Sequence, residues 1–413
     1  MNERLVETSG NGAPPSEPFV RQVRIRNFKS IAICDVELKR LTVLAGRNGS
    51  GKSNFLDALR FVVDGLQASL VHALKSRGGI DDVRRRSTGH PRNFSIELTI
   101  NLDRQIATYG FEIAGRAGGG FVVKRERLKI LDMNNRPVAH YRVEDATLAD
   151  ASQKSMPPTA SDRLYLVNAA GLPEFRGVYD ALLTMGFYNL NPQAMKEFQS
   201  PDAGELLHRD GANIASVIGR IEAEKPEVKK RIQTYLASIV PGISDFSRIT
   251  HGPRETLQFR QKVVGSENPW KFYANSMSDG TLRALGILVA VMQLADRQNP
   301  VRLVGIEEPE TALHAAAAGA LVESLREAAL HTQVVITSHS PDILDQIDIE
   351  NDQLLACAAS EGNTKVGQID RASREALHLH LFQAGELLRM DQLEPDTKDI
   401  ARQEQMDLFG EKP

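Results

Sequence analysis

Gly46-Arg47-Asn48-Gly49-Ser50-Gly51-Lys52-Ser53 lies between an apolar run, Leu41 to Ala45, and a stretch of helical periodicity from about Lys52 to Leu66. It fits G-x-x-x-x-G-K-[ST] at every position. Glycines let successive backbone N–H groups curl around phosphate oxygens, and the start of the following helix adds its positive dipole end. In such a loop Lys52 sets a point charge against β- and γ-phosphates, and Ser53 offers a hydroxyl to Mg²⁺. Asn48, Gly49, Gly51 and Asn54 complete the expected nucleotide-holding set. Strand, glycine loop and helix open an α/β fold.

Working outward, residues 1–18 are rich in Gly, Pro and Ser and read as a disordered leader. From Phe19 to Ile33 apolar and polar residues alternate, the period of one half-buried strand. Strands are expected at 94–100, 108–114 and 121–131, with Gly118, Gly119 and Gly120 as a turn, in an antiparallel β lobe that ends near residue 170. Val217, Ile218, Ile221 and Ile232, Leu236, Ile239 carry helical spacing, so 171–244 reads as a helical lobe. The remainder of the folded part, 245–390, opens with strands near 245–264. An apolar helix follows over 281–296, then a strand–helix–strand series at 301–306, 312–330 and 333–337 that implies a parallel sheet. Apolar density falls after Leu377, and 391–413 reads as a flexible charged tail.

Val301 to Ile306 is an apolar run that ends in Glu307-Glu308. Neighbours on a strand point to opposite sides, so the two carboxylates can divide the work. Glu307 suits the Mg²⁺ shell, and Glu308 suits the orientation and deprotonation of a water. Ser276-Met277-Ser278-Asp279-Gly280-Thr281 places a Ser-x-Gly turn at a helix start, which by itself is a common cap. Val334 to Ser340 ends another core strand in a polar cluster around His339, and a lone histidine there is more often structural.

Composition narrows the partners. The 413 residues suit one large α/β domain or two lobes, and 41% hydrophobic residues supply a sizeable core. Fifty Lys+Arg against 53 Asp+Glu give a net charge of −3, so nucleic acid would have to meet a local patch. Two cysteines, Cys34 and Cys357, exclude a disulfide scaffold and a cysteine-built zinc site. There is neither an apolar run near the ~18–20 residues of a membrane span nor a basic-then-apolar signal at the N-terminus. A cytoplasmic protein with no membrane partner is expected.

The order of these elements resembles the ABC-type ATPases of the SMC/RecF/OLD-like branch, and in detail the stand-alone bacterial AAA-type predicted ATPases of that branch. The resemblance rests on Ile25-Arg26-Asn27-Phe28-Lys29-Ser30, the glycine loop, Asp210-Gly211-Ala212-Asn213, Ser278-Asp279-Gly280-Thr281, Glu307-Glu308-Pro309-Glu310 with Leu313-His314, and Thr337-Ser338-His339-Ser340-Pro341. It spans roughly residues 20–390. It implies ATP and Mg²⁺ as cofactors and a head-to-tail homodimer with two ATP molecules between the subunits. Ser278 and Gly280 would face the γ-phosphate held by the other copy's Lys52, and His339 would act as a switch beside that phosphate. Glu307 stands where ABC proteins usually carry Asp, although this branch often has Glu, and the Q-loop glutamine has no assigned position. The absence of an Asn-Lys-x-Asp stretch favours ATP over GTP.

The resemblance also implies work in DNA metabolism, in repair or anti-phage defence, either as a DNA-stimulated ATPase or as a regulatory subunit for a separate effector such as a nuclease. A scaffold that merely holds ATP has no need of the second acid, and a transporter ATPase fits the Arg26-Asn27-Phe28 start poorly. Too few residues follow His339 for a nuclease domain of the topoisomerase-primase type. Basic clusters lie at Arg84-Arg85-Arg86, at Lys124, Arg125, Arg127 and Lys129, and at Lys229-Lys230-Arg231, and the first is the favoured DNA contact. Gln405-Met406-Asp407-Leu408-Phe409 resembles the pentapeptide by which bacterial proteins dock on the DNA sliding clamp. Gln405 would be its polar anchor, and Leu408 and Phe409 its apolar pair.

Overall fold

The apolar run Leu41–Ala45 is a strand buried at every position. In the computed structural model, which describes residues 17–87, 91–293 and 301–405, it lies inside a 13-stranded mixed sheet. In chain order the strands are β1 (Val20–Phe28), β2 (Ile31–Glu37), β3 (Leu41–Ala45), β4 (Asn93–Leu102), β5 (Gln105–Gly115), β6 (Phe121–Asp132), β7 (Pro137–Glu144) and β8 (Thr147–Ala151). They continue as β9 (Met185–Tyr188), β10 (Ile243–His251), β11 (Arg254–Gln261), β12 (Trp270–Tyr273), β13 (Leu303–Glu307), β14 (Gln333–Ser338), β15 (Gln353–Ser360) and β16 (Asn363–Gln368). The large sheet runs β8-β7-β6-β5-β4-β1-β2-β16-β15-β3-β14-β13-β9, while β10-β11-β12 form a separate sheet. The expected α/β class, with an antiparallel β lobe joined to a parallel core, is what forms.

Strands β15, β3, β14, β13 and β9 are parallel to one another. A parallel strand covered on both faces needs apolar residues on both. Val43, Ala45, Val304, Ile306, Val334 and Ile336 enter one core, and Leu44, Leu303 and Val335 enter the other. The helix Lys52–Gln67 covers the second face with Phe55, Leu56, Leu59, Val62 and Val63, at the three- and four-residue spacing of one helical stripe. The helices Asp279–Met292 and Ala318–Ala328 cover the first face.

Four expectations about organisation are corrected. The alternating stretch 19–33 is two strands. Asn27 and Lys29 take φ of 54° and 48°, the chain reverses, and Val23 pairs with Val36. Alternation continues through the turn, so period alone does not show the reversal. The lobe expected to be helical over 171–244 contains β9, which extends the parallel sheet beside β13. Four residues are too short a run for a periodic signal. A third strand, Trp270–Tyr273, joins the two near 245–264.

The supposed flexible tail is ordered as far as residue 405. The helix Thr397–Glu404 starts on an Asp396 cap and buries Ile400 and Gln403. Gln403 accepts from Asp35 N at 3.1 Å and donates to Val366 O at 3.0 Å, which ties the helix to β2 and β16. Its anchor is mainly a polar side chain, which apolar density does not register. Among the described residues, no helix is long and apolar enough to cross a membrane.

Candidate nucleotide site

Residues 46–51 leave the C-terminal end of β3, and Gly51 starts the helix with φ of 92°. A Cβ at Gly51 would collide with the Thr364 side chain, so both the backbone angle and the space require glycine. Ser30 Oγ, Thr364 Oγ1 and Asn54 Nδ2 form a hydrogen-bonded chain beside this turn, with distances of 2.7 and 2.6 Å at Ser30. Lys52 is 4% exposed, and its ammonium donates to Gly46 O at 2.8 Å and Arg47 O at 2.9 Å. Burial pulls its pKa below the ordinary lysine range, against the upward pull of Cys357, Glu308 and Glu310. Ser50 Oγ is buried and has no partner. A loop with a buried cation, spare donors and a helix start suits an anion.

Ser53 is exposed at the helix start. Asn48 and Gly49 line a cavity of about 300 Å³ over the loop, together with Arg47, Cys357, Asp391 and Leu393. A larger hollow of about 550 Å³, lined by Arg176, Val217 and Gln293, contains none of the expected site residues.

Parallel register brings the acids to this loop. Glu307 is level with Thr337, and Thr337 is level with Leu44, so one row crosses β13, β14 and β3. Adjacent strands lie ~4.8 Å apart, so the chain ends Glu308, His339 and Gly46 leave the sheet side by side. Glu308 has φ of 44°, and its N–H donates to Thr337 O at 3.0 Å. The left-handed backbone costs a non-glycine residue roughly 1–3 kcal/mol, the kind of strain kept at working sites.

The two carboxylates diverge, with β13 ending at Glu307 and Glu308 in the left-handed region just beyond it. Glu307 meets Arg209 at 3.5 Å, whereas Glu308 lies 3.0 Å from His339 Nδ1. That approach is close but not aligned for a hydrogen bond, and His339 Nδ1 is buried without one. Glu310 braces the strand end by accepting from Ser338 Oγ at 2.7 Å and His339 N at 3.2 Å. Its other oxygen is buried and unpartnered.

Ser278 caps the helix Asp279–Met292, accepting from Thr281 N, and is exposed. Gly280 packs on the loop that follows the acids, where a Cβ would strike the Ala312 carbonyl. The same helix supplies Arg283, which reaches Leu190 O at 3.3 Å and Glu307 O at 3.5 Å. Burial pulls Arg283 below its ordinary range, with Glu308, Glu310 and Glu307 opposing. Neither Arg209 nor Arg283 carries a sequence signal of its own. Arg209 is placed by a hydrogen bond from Asn189 N, just past β9, and Arg283 by the helix turn after Gly280.

The basic clusters are largely answered from within. Arg84 pairs with Asp81 at 2.7 Å and Arg86 with Asp82, while Arg85 Nε is buried without a partner. This segment docks on the β1–β2 turn, with Arg85 N donating to Asn27 O at 2.7 Å. Lys124 faces Glu112 at 3.4 Å, Lys229 faces Glu222 at 2.5 Å and Arg231 faces Glu327 at 2.9 Å. Gln405 is exposed at the end of the last helix, and the rest of the clamp-like pentapeptide, Leu408 and Phe409 included, lies outside the described residues.

A glycine loop on a parallel sheet, with an antiparallel lobe on one flank, is the fold of SMC head domains. The solved structures that share that fold include two SMC heads. One is an SMC head bound to the C-winged helix domain of ScpA, at TM-score 0.53 and 15% identity, covering 86% of this chain and 100% of that one. The other is an Smc head with an extended coiled coil bound to the C-terminal domain of ScpA, derived from Pyrococcus furiosus. It matches at TM-score 0.51 and 14% identity, over 88% of this chain and 99% of the other.

The chain belongs to the family described as "AAA domain, putative AbiEii toxin, Type IV TA system", whose model matches residues 41–165 and 193–345. No curated protein matches it.

Proposed function

We propose that this protein binds and hydrolyses ATP with Mg²⁺, in a site completed by a second copy. The observation that carries the reading is the row of strand ends that sets the glycine loop, Glu307-Glu308 and His339 together. Lys52 and the loop N–H groups hold phosphates in this reading, while Ser53 and Glu307 hold the metal. Mg²⁺, when bound, neutralises phosphate charge. Glu308 orients a water and takes its proton, and His339, against Glu308, reads the occupied state. Ser278, exposed at a helix start, is free to meet the nucleotide of the partner copy. Light scattering of Glu308→Gln with Mg-ATP tests the dimer. Roughly double the 45.5 kDa monomer mass is expected, and a monomer at saturating ATP would refute it.

The wider role we propose is cytoplasmic DNA metabolism, in repair or defence, with DNA as partner and a sliding clamp as a further partner through Gln405–Phe409. A second reading, a regulatory subunit for an effector such as a nuclease, is favoured by the internal pairing of Arg84 and Arg86. The ScpA-bound heads that share the fold also support a protein partner. Turnover that rises with duplex separates the first reading from the second.

A further inference from the structure

The sheet β10-β11-β12 turns one face to its own core and the other to solvent. Phe246, Leu257 and Phe259 are buried, and Glu255 is buried too, accepting from Ser216 Oγ. On the opposite face, register aligns Asp245, Arg260 and Lys271 in one row and Ser247, Gln258 and Tyr273 in the next, with His251 and Arg254 at the far end. Phe198, His251 and Tyr273 are stacked edge to face, with ring centroids 5.6 and 5.5 Å apart. All three are exposed, Phe198 and Tyr273 at 37% each.

Charge completes the surface. Residues 243–273 carry five Lys or Arg against three Asp or Glu, within a chain whose net charge is −3. One of those acids, Glu255, faces the core beside Arg248. Lys271 is exposed without an ion-pair partner among the described residues, Arg254 reaches only Phe198 O at 3.4 Å, and Arg260 is 3.9 Å from Asp245. From Arg254 to Arg260 a strand advances ~20 Å. Exposed rings set among loosely held cations, with Gln258 between them, offer stacking to bases, charge to phosphates and hydrogen bonds to base edges.

We propose that this face binds single-stranded nucleic acid, with bases on Tyr273 and His251 and phosphates along Lys271, Arg260 and Arg254. A duplex buries the ring faces of its bases, so stacking on exposed side chains selects the single strand. Tyr273 runs through the turn Ala274–Ser276 into Ser278, so a bound strand lies beside the helix start that the functional reading gives to the partner's ATP. The proposal deepens the nucleic-acid part of that reading.

The test is fluorescence anisotropy of labelled 20-mers with the full chain, without ATP or Mg²⁺, so that failure of the ATPase reading leaves the result interpretable. Oligo(dT) is expected to bind more tightly than a duplex or an abasic 20-mer of equal charge. Tyr273→Ala with His251→Ala is expected to weaken oligo(dT) at least ~10-fold and to leave the abasic strand unchanged. Lys271→Gln is expected to make the slope of log K against log salt shallower by about 0.7. These residues are exposed, and unchanged thermal melting confirms that the variants fold. Equal binding of abasic and oligo(dT) strands, variants that bind like the parent, or preference for duplex would overturn the proposal. Duplex preference would still leave a DNA-associated ATPase standing.

Discussion

Glu307-Glu308 with His339, and Arg84-Arg85-Arg86, are both conspicuous charge clusters in the chain, and the fold treats them in opposite ways. Parallel register delivers the first cluster to the glycine loop, where Ser50 Oγ and Glu310 Oε2 are buried with no partner of their own. The second follows the short helix Ile80–Val83, whose Asp81 and Asp82 answer two of the three guanidinium groups. Charge written in sequence points to an external ligand where tertiary structure leaves it unanswered. Surface pairs such as the arginine–aspartate contacts are worth ~0–1 kcal/mol each, so a strong phosphate ligand could still compete for them.

The largest effect that sharpens this contrast should come from Lys52→Ala. Nucleotide binding by calorimetry is expected to fall below detection, since the buried Lys52 ammonium, held by Gly46 O and Arg47 O, supplies the charge inside the loop. Gly280→Ala should follow. Its Cβ must displace the Ala312 carbonyl, costing about 1–3 kcal/mol in denaturant unfolding, with turnover reduced as well. If the arginine cluster touches duplex, Asp81→Asn with Asp82→Asn should release Arg84 and Arg86, raise duplex affinity a few-fold and steepen its salt dependence. No change on release, and none on converting the three arginines to Glu, removes the cluster from DNA binding.

The smallest effect concerns a third charge, Glu126, which the fold buries completely and answers completely. It accepts from Tyr141 Oη at 2.8 Å, Tyr109 Oη at 3.1 Å and Leu166 N at 2.8 Å, yet burial raises its pKa from 4.5 to about 7. Across that window the folded chain holds a proton that the unfolded chain has released, so stability should fall as pH rises from about 4.5 to about 7. Glu126→Gln should lose that slope, as measured by urea midpoints at several pH values, even though it is less stable at low pH.

Much of the site is legible in the chain because its pieces are local. The loop and Glu307-Glu308 each occupy a few consecutive residues, and the strands that carry them are apolar on both faces. What is hidden depends on distance along the chain. Strand β9 is four residues long and is defined by pairing with β13 more than a hundred residues later. Gln403 fastens the last helix through hydrogen bonds to Asp35 and Val366 that no periodicity encodes. Arg209 and Arg283 reach the acids only after β9 and the capped helix are in place. The aromatic–basic face exists only in register, because Phe198, His251 and Tyr273 come from three separate segments.

Steady-state hydrolysis of Mg-ATP by the parent chain and by Glu308→Gln tests the central claim most directly. The expected result is measurable turnover in the parent and a drop of ~10²–10⁴-fold in the variant, with nucleotide binding retained. Equal turnover in the two proteins would contradict the assignment of Glu308 and, with it, the account of the strand-end row as a hydrolytic site.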